Sequence, residues 1–121
     1  MLNKEDLQTA ETIFRQIGLD AYRAVSGRDR RAYIDEDGNV VHQFRFGSTY
    51  GLPKYIDITY KRGRDDYHVH GYKIHRNKAV STFSVPSDYP LHGKEDAIYD
   101  GVYADRLPYI VRRINAIAEV S

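Results

Sequence analysis

Lys54-Tyr55-Ile56-Asp57-Ile58-Thr59-Tyr60-Lys61, the turn Arg62-Gly63-Arg64-Asp65, and Tyr67-His68-Val69-His70-Gly71-Tyr72-Lys73-Ile74-His75 decide the reading of this chain. In the first segment Ile56, Ile58 and Tyr60 alternate with Tyr55, Asp57, Thr59 and Lys61, the period of two that a half-buried strand requires. The Gly-containing turn then sends the chain back antiparallel, with Tyr67 and Val69 on the dry side and His68 and His70 on the wet one. If Gly71 marks a bulge, Lys73 and His75 rejoin the histidines' face while Tyr72 and Ile74 turn inward.

Working outward, Ala32 to Asp35 and Val40 to Phe46 flank Asp37-Gly38-Asn39, a hairpin signal because Gly and Asn accept positive φ cheaply. Arg76-Asn77 reads as another turn, and Lys78 to Val85 completes a meander. Arg28 to Arg31, after Gly27, reads as a solvated turn. Gly47 to Pro53 reads as a loop, and Pro86 to Gly93 as the longest irregular stretch. The ends change period. Leu7, Ala10, Ile13, Phe14 and Ile17 give one apolar stripe over 3–18, with Glu5 and Asp6 favouring the dipole and Gly18 as a stop. Leu19 to Ser26 could form a second short helix. Leu107, Ile110, Val111, Ile114 and Ile117 or Ala118 mark a last helix over 103–119, with Pro108 tolerated near its start. The expected fold is therefore one α+β domain over 1–121. An antiparallel meander of four to five strands (31–85) is covered on one face by the N-terminal and C-terminal helices.

Composition narrows the chemistry. The chain has 121 residues, no Cys, no Trp and 11 Tyr, and 18 basic against 17 acidic groups. Without Cys there are no disulfides, thiol nucleophiles or thiolate metal sites. No run is apolar enough to span a bilayer, and the polar start does not read as a secretory signal, so no membrane association and an intracellular address are expected. No catalytic or phosphate-cradling motif is present, and neither a catalytic residue nor a cofactor is expected. Charge is uneven: residues 1–21 carry two basic and four acidic groups, residues 22–78 twelve and seven, residues 79–121 four and six. The wet face of this basic middle segment is expected to present Tyr55, Thr59, Lys61, His68, His70, Lys73 and His75, with Arg62, Arg64, Arg76 and Lys78 at the turns. Cations and aromatic rings suit nucleic acid, and the same residues suit a protein partner. His68, His70 and Asp57 have the spacing of weak metal ligands, the basis of a less favoured nuclease or hydrolase reading. Tyr89, Tyr99, Tyr103 and Tyr109 gather near the last helix, where packing is their simplest role. An edge strand at 32–36 or 78–85 could support a homodimer.

Ile13-Phe14-Arg15-Gln16-Ile17-Gly18, Ala24-Val25-Ser26-Gly27, Phe44-Arg45-Phe46, Tyr55-Ile56-Asp57-Ile58-Thr59, Asp66-Tyr67-His68-Val69 and Asp100-Gly101-Val102-Tyr103-Ala104-Asp105 with Leu107 follow one another in that order. Together they resemble a family of small uncharacterised proteins of bacteriophages, prophages and other mobile elements. The sequence is longer than that pattern around the first hairpin and between Ile74 and Asp100. The resemblance implies an accessory protein working in the cytoplasm of a bacterial host cell and carries no site residue with it. The expected role is non-enzymatic binding of a host or phage protein, such as inhibition of a host defence system, with DNA or RNA binding through the basic sheet as the alternative.

Overall fold

The computed structural model describes residues 2–85 and 95–121. Helix α1 (Lys4–Ile17) opens on a reciprocal cap: Asn3 Oδ1 accepts from the Asp6 amide at 2.8 Å, and Asp6 Oδ2 accepts from the Asn3 amide at 3.2 Å. Two otherwise orphaned amides are thereby satisfied. Gly18, at φ 84°, ends α1 and begins α2 (Leu19–Ala24). Six strands then build the main sheet: β1 (Arg28–Ile34), β2 (Val40–Arg45), β3 (Lys54–Lys61), β4 (Asp66–Ile74), β5 (Val80–Thr82) and, after a detour, β8 (Ile98–Val102). The detour is a second, two-stranded sheet of β6 (Ser84–Val85) and β7 (Glu95–Asp96). A 3-10 turn at Ala104–Arg106 leads into α3 (Leu107–Val120), with Pro108 in its first turn where no amide is missed.

The sheet order is β1-β2-β3-β4, and the far edge of β4 is shared by two strands. β8 pairs with its first half (Tyr67↔Val102, His70↔Ile98) and β5 with its last residues (Tyr72↔Thr82, Ile74↔Val80). The changeover is at Gly71, whose amide donates to Ala97 and whose carbonyl accepts from Phe83. There is no bulge at Gly71: β3 and β4 stay in register from Lys61↔Asp66 to Lys54↔Lys73. Gly71 is small for another reason. An added Cβ would lie 2.3 Å from Ile114 Cγ2 of α3, so the glycine lets the helix approach the sheet backbone.

Alternation divides the sheet cleanly. Phe44, Phe46, Ile56, Ile58 and Val69 face Ile13 and Ile17 of α1 and Leu107, Val111, Ile114 and Ile117 of α3, all fully buried. Each buried aliphatic contributes roughly 1.5–3 kcal/mol, and both terminal helices are needed to cover the face, as expected. Leu7 departs from its stripe: it is half exposed, while Asp6, the capping residue, is buried. Two expectations are corrected. Arg28 to Arg31 are strand, not turn, because an irregularity at Asp29 (φ 54°) lets β1 extend to pair Arg28 with Arg45. The sheet also runs beyond residue 85, since β8 returns to β4. The expected irregular stretch at 86–93, with Tyr89, lies outside the described residues.

Candidate functional site

The face that the helices leave uncovered is built by Arg31 and Tyr33 of β1, Val41, Gln43 and Arg45 of β2, Tyr55, Asp57, Thr59 and Lys61 of β3, and the even-numbered residues of β4. Its middle is closed by its own side chains. Asp57 accepts from Tyr33 Oη at 2.9 Å and from Tyr72 Oη at 3.0 Å, and Gln43 Nε2 donates to Tyr72 Oη at 2.8 Å. Burial, followed by the adjacent Asp57 charge, pushes both tyrosine hydroxyls well above their usual range. His70 lies beside Tyr72, with ring centroids 5.0 Å apart, and its Nε2 lies 2.8 Å from Thr82 Oγ1. Burial lowers its basicity.

The expected site residues therefore do not form one surface. Asp57, His68 and His70 share the open face, but each is held elsewhere: Asp57 by two tyrosines, His70 by Thr82, and His68 by Asp100, at 3.1 Å. Among the described residues no three His, Asp or Glu side chains gather as metal ligands. Arg62 turns away to Asp6 (2.8 Å), and Arg64 bridges Asp66 (3.1 Å) and Asp100 (2.7 Å). Arg64, and then His68, hold the Asp100 carboxyl well below the usual carboxylate range. Lys61 stands opposite Asp66. This end of the sheet, which also bears Asp35, Glu36, Asp37 and Asp65 around the hairpin turns, is acidic overall.

Lys73 belongs to the other group, and the correction follows from the missing bulge. It lies on the helix side of the sheet, directly across from Lys54, while Tyr72 and Ile74 point to the open face. His75 is tied to Ser81 (2.8 Å) at the start of the next turn, which carries Arg76. On the open face at the same end, across from Tyr55, stands Arg45, whose other neighbour is Arg28. Among the described strand and turn residues, this opposite end thus gathers Arg28, Arg45, Lys54, Lys73, Arg76 and Lys78, with Asp29 beside Arg28. None of the six cations forms an ion pair among the described residues. Two of them meet at Gly47 (φ 75°): Arg28 Nη1 donates to its carbonyl at 2.9 Å, and a Cβ there would lie 2.8 Å from Lys54 Cε.

Arg28, Arg45, Lys54 and the loop residue Tyr50 were not among the expected site residues. The signal was available for the lysines: counting back from the Arg62–Asp65 turn puts Lys54 opposite Lys73. For Arg28 and Arg45 it was hidden by the irregularity at Asp29. Comparison with protein-family models, with curated proteins and with solved structures returned no significant match.

Proposed function

We propose that this chain is a non-enzymatic binding protein, of the kind an accessory gene of a phage or other mobile element encodes, and that it holds nucleic acid at the basic end of its sheet. One observation carries this reading. Arg28–Arg45 and Lys54–Lys73 are like-charged pairs directly opposite each other on neighbouring strands at the same end of the sheet, the arginines on the open face and the lysines on the helix side. Such pairs repel and cost stability, and among the described residues no acid pairs with them. A row of phosphates would offset that repulsion and release its own counterions. A binding role also suits the open face, where the groups able to move a proton are fixed to structural partners.

The test is fluorescence anisotropy with a labelled oligonucleotide across a salt series. Four phosphate contacts, to Arg45, Lys54, Lys73 and Arg76, give a slope of log K against log salt of roughly −3 for a single strand. Lys54→Gln and Lys73→Gln should each flatten it by about 0.7. Arg62→Gln and Arg64→Gln, whose charges are already neutralised, should leave it unchanged. The reading is wrong if the second pair of variants lowers affinity and the first does not.

A second reading, docking on a host or phage protein, is favoured by a different feature. Ile98 and Tyr103 are 48% and 65% exposed and line a groove of about 390 Å³ along β8, whose outer edge has no partner strand among the described residues. Exposed aromatic and aliphatic side chains at an open strand edge suit a protein partner. A photo-crosslinker at Tyr103 that captures one host protein, with capture lost in Ile98→Asp, would favour docking; equal capture by both would exclude this edge.

A further inference from the structure

The β2–β3 connection, residues 47–53, joins the two strands that carry Arg45, on the open face, and Lys54, on the helix side, so it leaves the sheet at the end where both cations stand. Its neck is braced on three sides. The Phe46 amide donates to the Lys54 carbonyl at 3.0 Å, the Gly47 amide to the Val25 carbonyl at 2.8 Å, and Arg28 grips the Gly47 carbonyl. At the tip, the Tyr50 amide donates to Ser48 Oγ at 3.0 Å, and Gly51, at φ 82°, turns the chain back. Tyr50 itself is 86% exposed, the most exposed of the large hydrophobic side chains among the described residues. An aromatic ring left in water gives up the burial that tyrosine normally contributes. A second ring, Tyr55, lies directly across from Arg45 on the open face, partly exposed and stacked on Tyr72 at 5.9 Å and 26°.

A braced loop that lifts one bare ring at the end of the sheet where Arg45 stands on one face and Lys54 on the other, neither ion-paired among the described residues, has the parts of a base-stacking platform. Duplexes keep the faces of their bases stacked inside, whereas unpaired bases offer theirs, and cations beside an aromatic ring then take the flanking phosphates. We infer that the nucleic acid held at this end is single-stranded, with one unpaired base stacked on Tyr50 and its neighbouring phosphates on Arg45 and Lys54. This rests on the nucleic-acid reading above and narrows it to a ligand class. The shared chemistry, an unpaired base between phosphates, occurs in DNA and RNA alike.

The experiment measures anisotropy of labelled oligothymidylate and oligouridylate of about 15 nucleotides, within the site sizes of such platforms, and of a DNA duplex of the same length. The proteins compared are the wild type, Tyr50→Ala, Tyr50→Phe and Lys54→Gln/Lys73→Gln. Tyr50→Ala should weaken single-strand binding roughly 5- to 100-fold, Tyr50→Phe should retain it, and duplex binding should be weak and indifferent to both. Because the Tyr50 side chain is so exposed, its variants should melt with the wild type, which checks that they are folded. If Tyr50→Ala binds single strands as the wild type does, or the duplex is preferred, the single-strand inference falls. The broader reading then survives only if Lys54→Gln/Lys73→Gln still weakens binding. If none of the three probes binds, both fall together. Preference for one of the two single strands identifies which polymer is the ligand.

Discussion

Acidification should destabilise this protein through His42. The side chain is 2% exposed, with its ring between Phe14 and Phe44 at centroid distances of 5.9 and 6.0 Å. Its Nε2 accepts from Arg30 Nε at 3.2 Å, which leaves the proton on Nδ1, and that atom has no hydrogen-bond partner among the described residues. Arg30 is itself fixed by Glu11 at 2.8 Å and by the Phe14 ring, 3.5 Å beneath its guanidinium. Protonating His42 would bury a cation, break its bond to Arg30 and set two positive charges side by side. Burial, then the Arg30 charge, lowers its pKa from 6.5 to about 4. The folded state thus binds this proton less readily than the unfolded chain does. Stability is full above pH 6.5 and declines as the pH falls towards 4, by roughly 3 kcal/mol in all and by about 2 kcal/mol at pH 5. For a chain of this length that is about 8 °C in Tm. Thermal unfolding followed by circular dichroism at pH 7.5 and 5.0, with the wild type beside His42→Phe, measures the difference. The variant keeps an aromatic ring and loses the titration, while His70, which shifts in the same direction, is common to both. Equal Tm losses in the two proteins, or an NMR titration placing His42 near 6.5, would refute the reasoning.

Three further outcomes are expected. Gly71→Ala should cost roughly 1–3 kcal/mol by driving a methyl group into Ile114, and in the double variant with Ile114→Ala the two costs should sum to less than their separate values; strict additivity in denaturant titrations would deny the contact. Tyr33→Phe and Tyr72→Phe each remove a donor to Asp57 and should each cost about 1–3 kcal/mol. The hydroxyls ionise less readily when folded, so wild-type stability should hold to about pH 10 and fall above it as the unfolded chain ionises first; the double Phe variant should show a shallower alkaline decline. Lys78 holds a left-handed backbone conformation, φ 65°, that glycine adopts without strain, so Lys78→Gly should gain up to about 1 kcal/mol in stability while lowering oligonucleotide affinity a few-fold; lower stability would contradict the strain.

The sheet and its two covering helices were legible because their periods are strong. The Ile56-Ile58 alternation and the Leu107-Ile110-Val111-Ile114-Ile117 stripe each admit one buried face, and the core uses those residues. Misreadings arose where a residue type has two physical uses. Gly71 was compatible with a bulge and with close helix approach, and only the position of Ile114 decides between them. The turn-like run Arg28-Asp29-Arg30-Arg31 becomes strand because Asp29 takes up the irregularity. The charged residues were legible one at a time but only in part in their pairings. Arg62 and Arg64 look free along the sequence, and their partners Asp6 and Asp100 lie 56 and 36 positions away. At the other end the Lys54–Lys73 pair follows by counting back from the Arg62–Asp65 turn, whereas the Arg28–Arg45 pair depends on the irregularity at Asp29, which no local pattern supplies. Ile98 to Val102, short and interrupted by Gly101, carries too little alternation to announce a strand.

That β4 is bordered along one side by two different strands has a consequence for synthesis. When the ribosome has released the chain only as far as Ile74, the whole flank of β4 is an open row of donors and acceptors, and the helix that shields its apolar side has not been made. Neither β5 alone nor β8 alone can close that row; both legs of the arm must dock, meeting at Gly71. Assembly therefore waits for residues 80–120, and a product stopped before them would offer other molecules a sticky strand rather than a smaller version of the same fold.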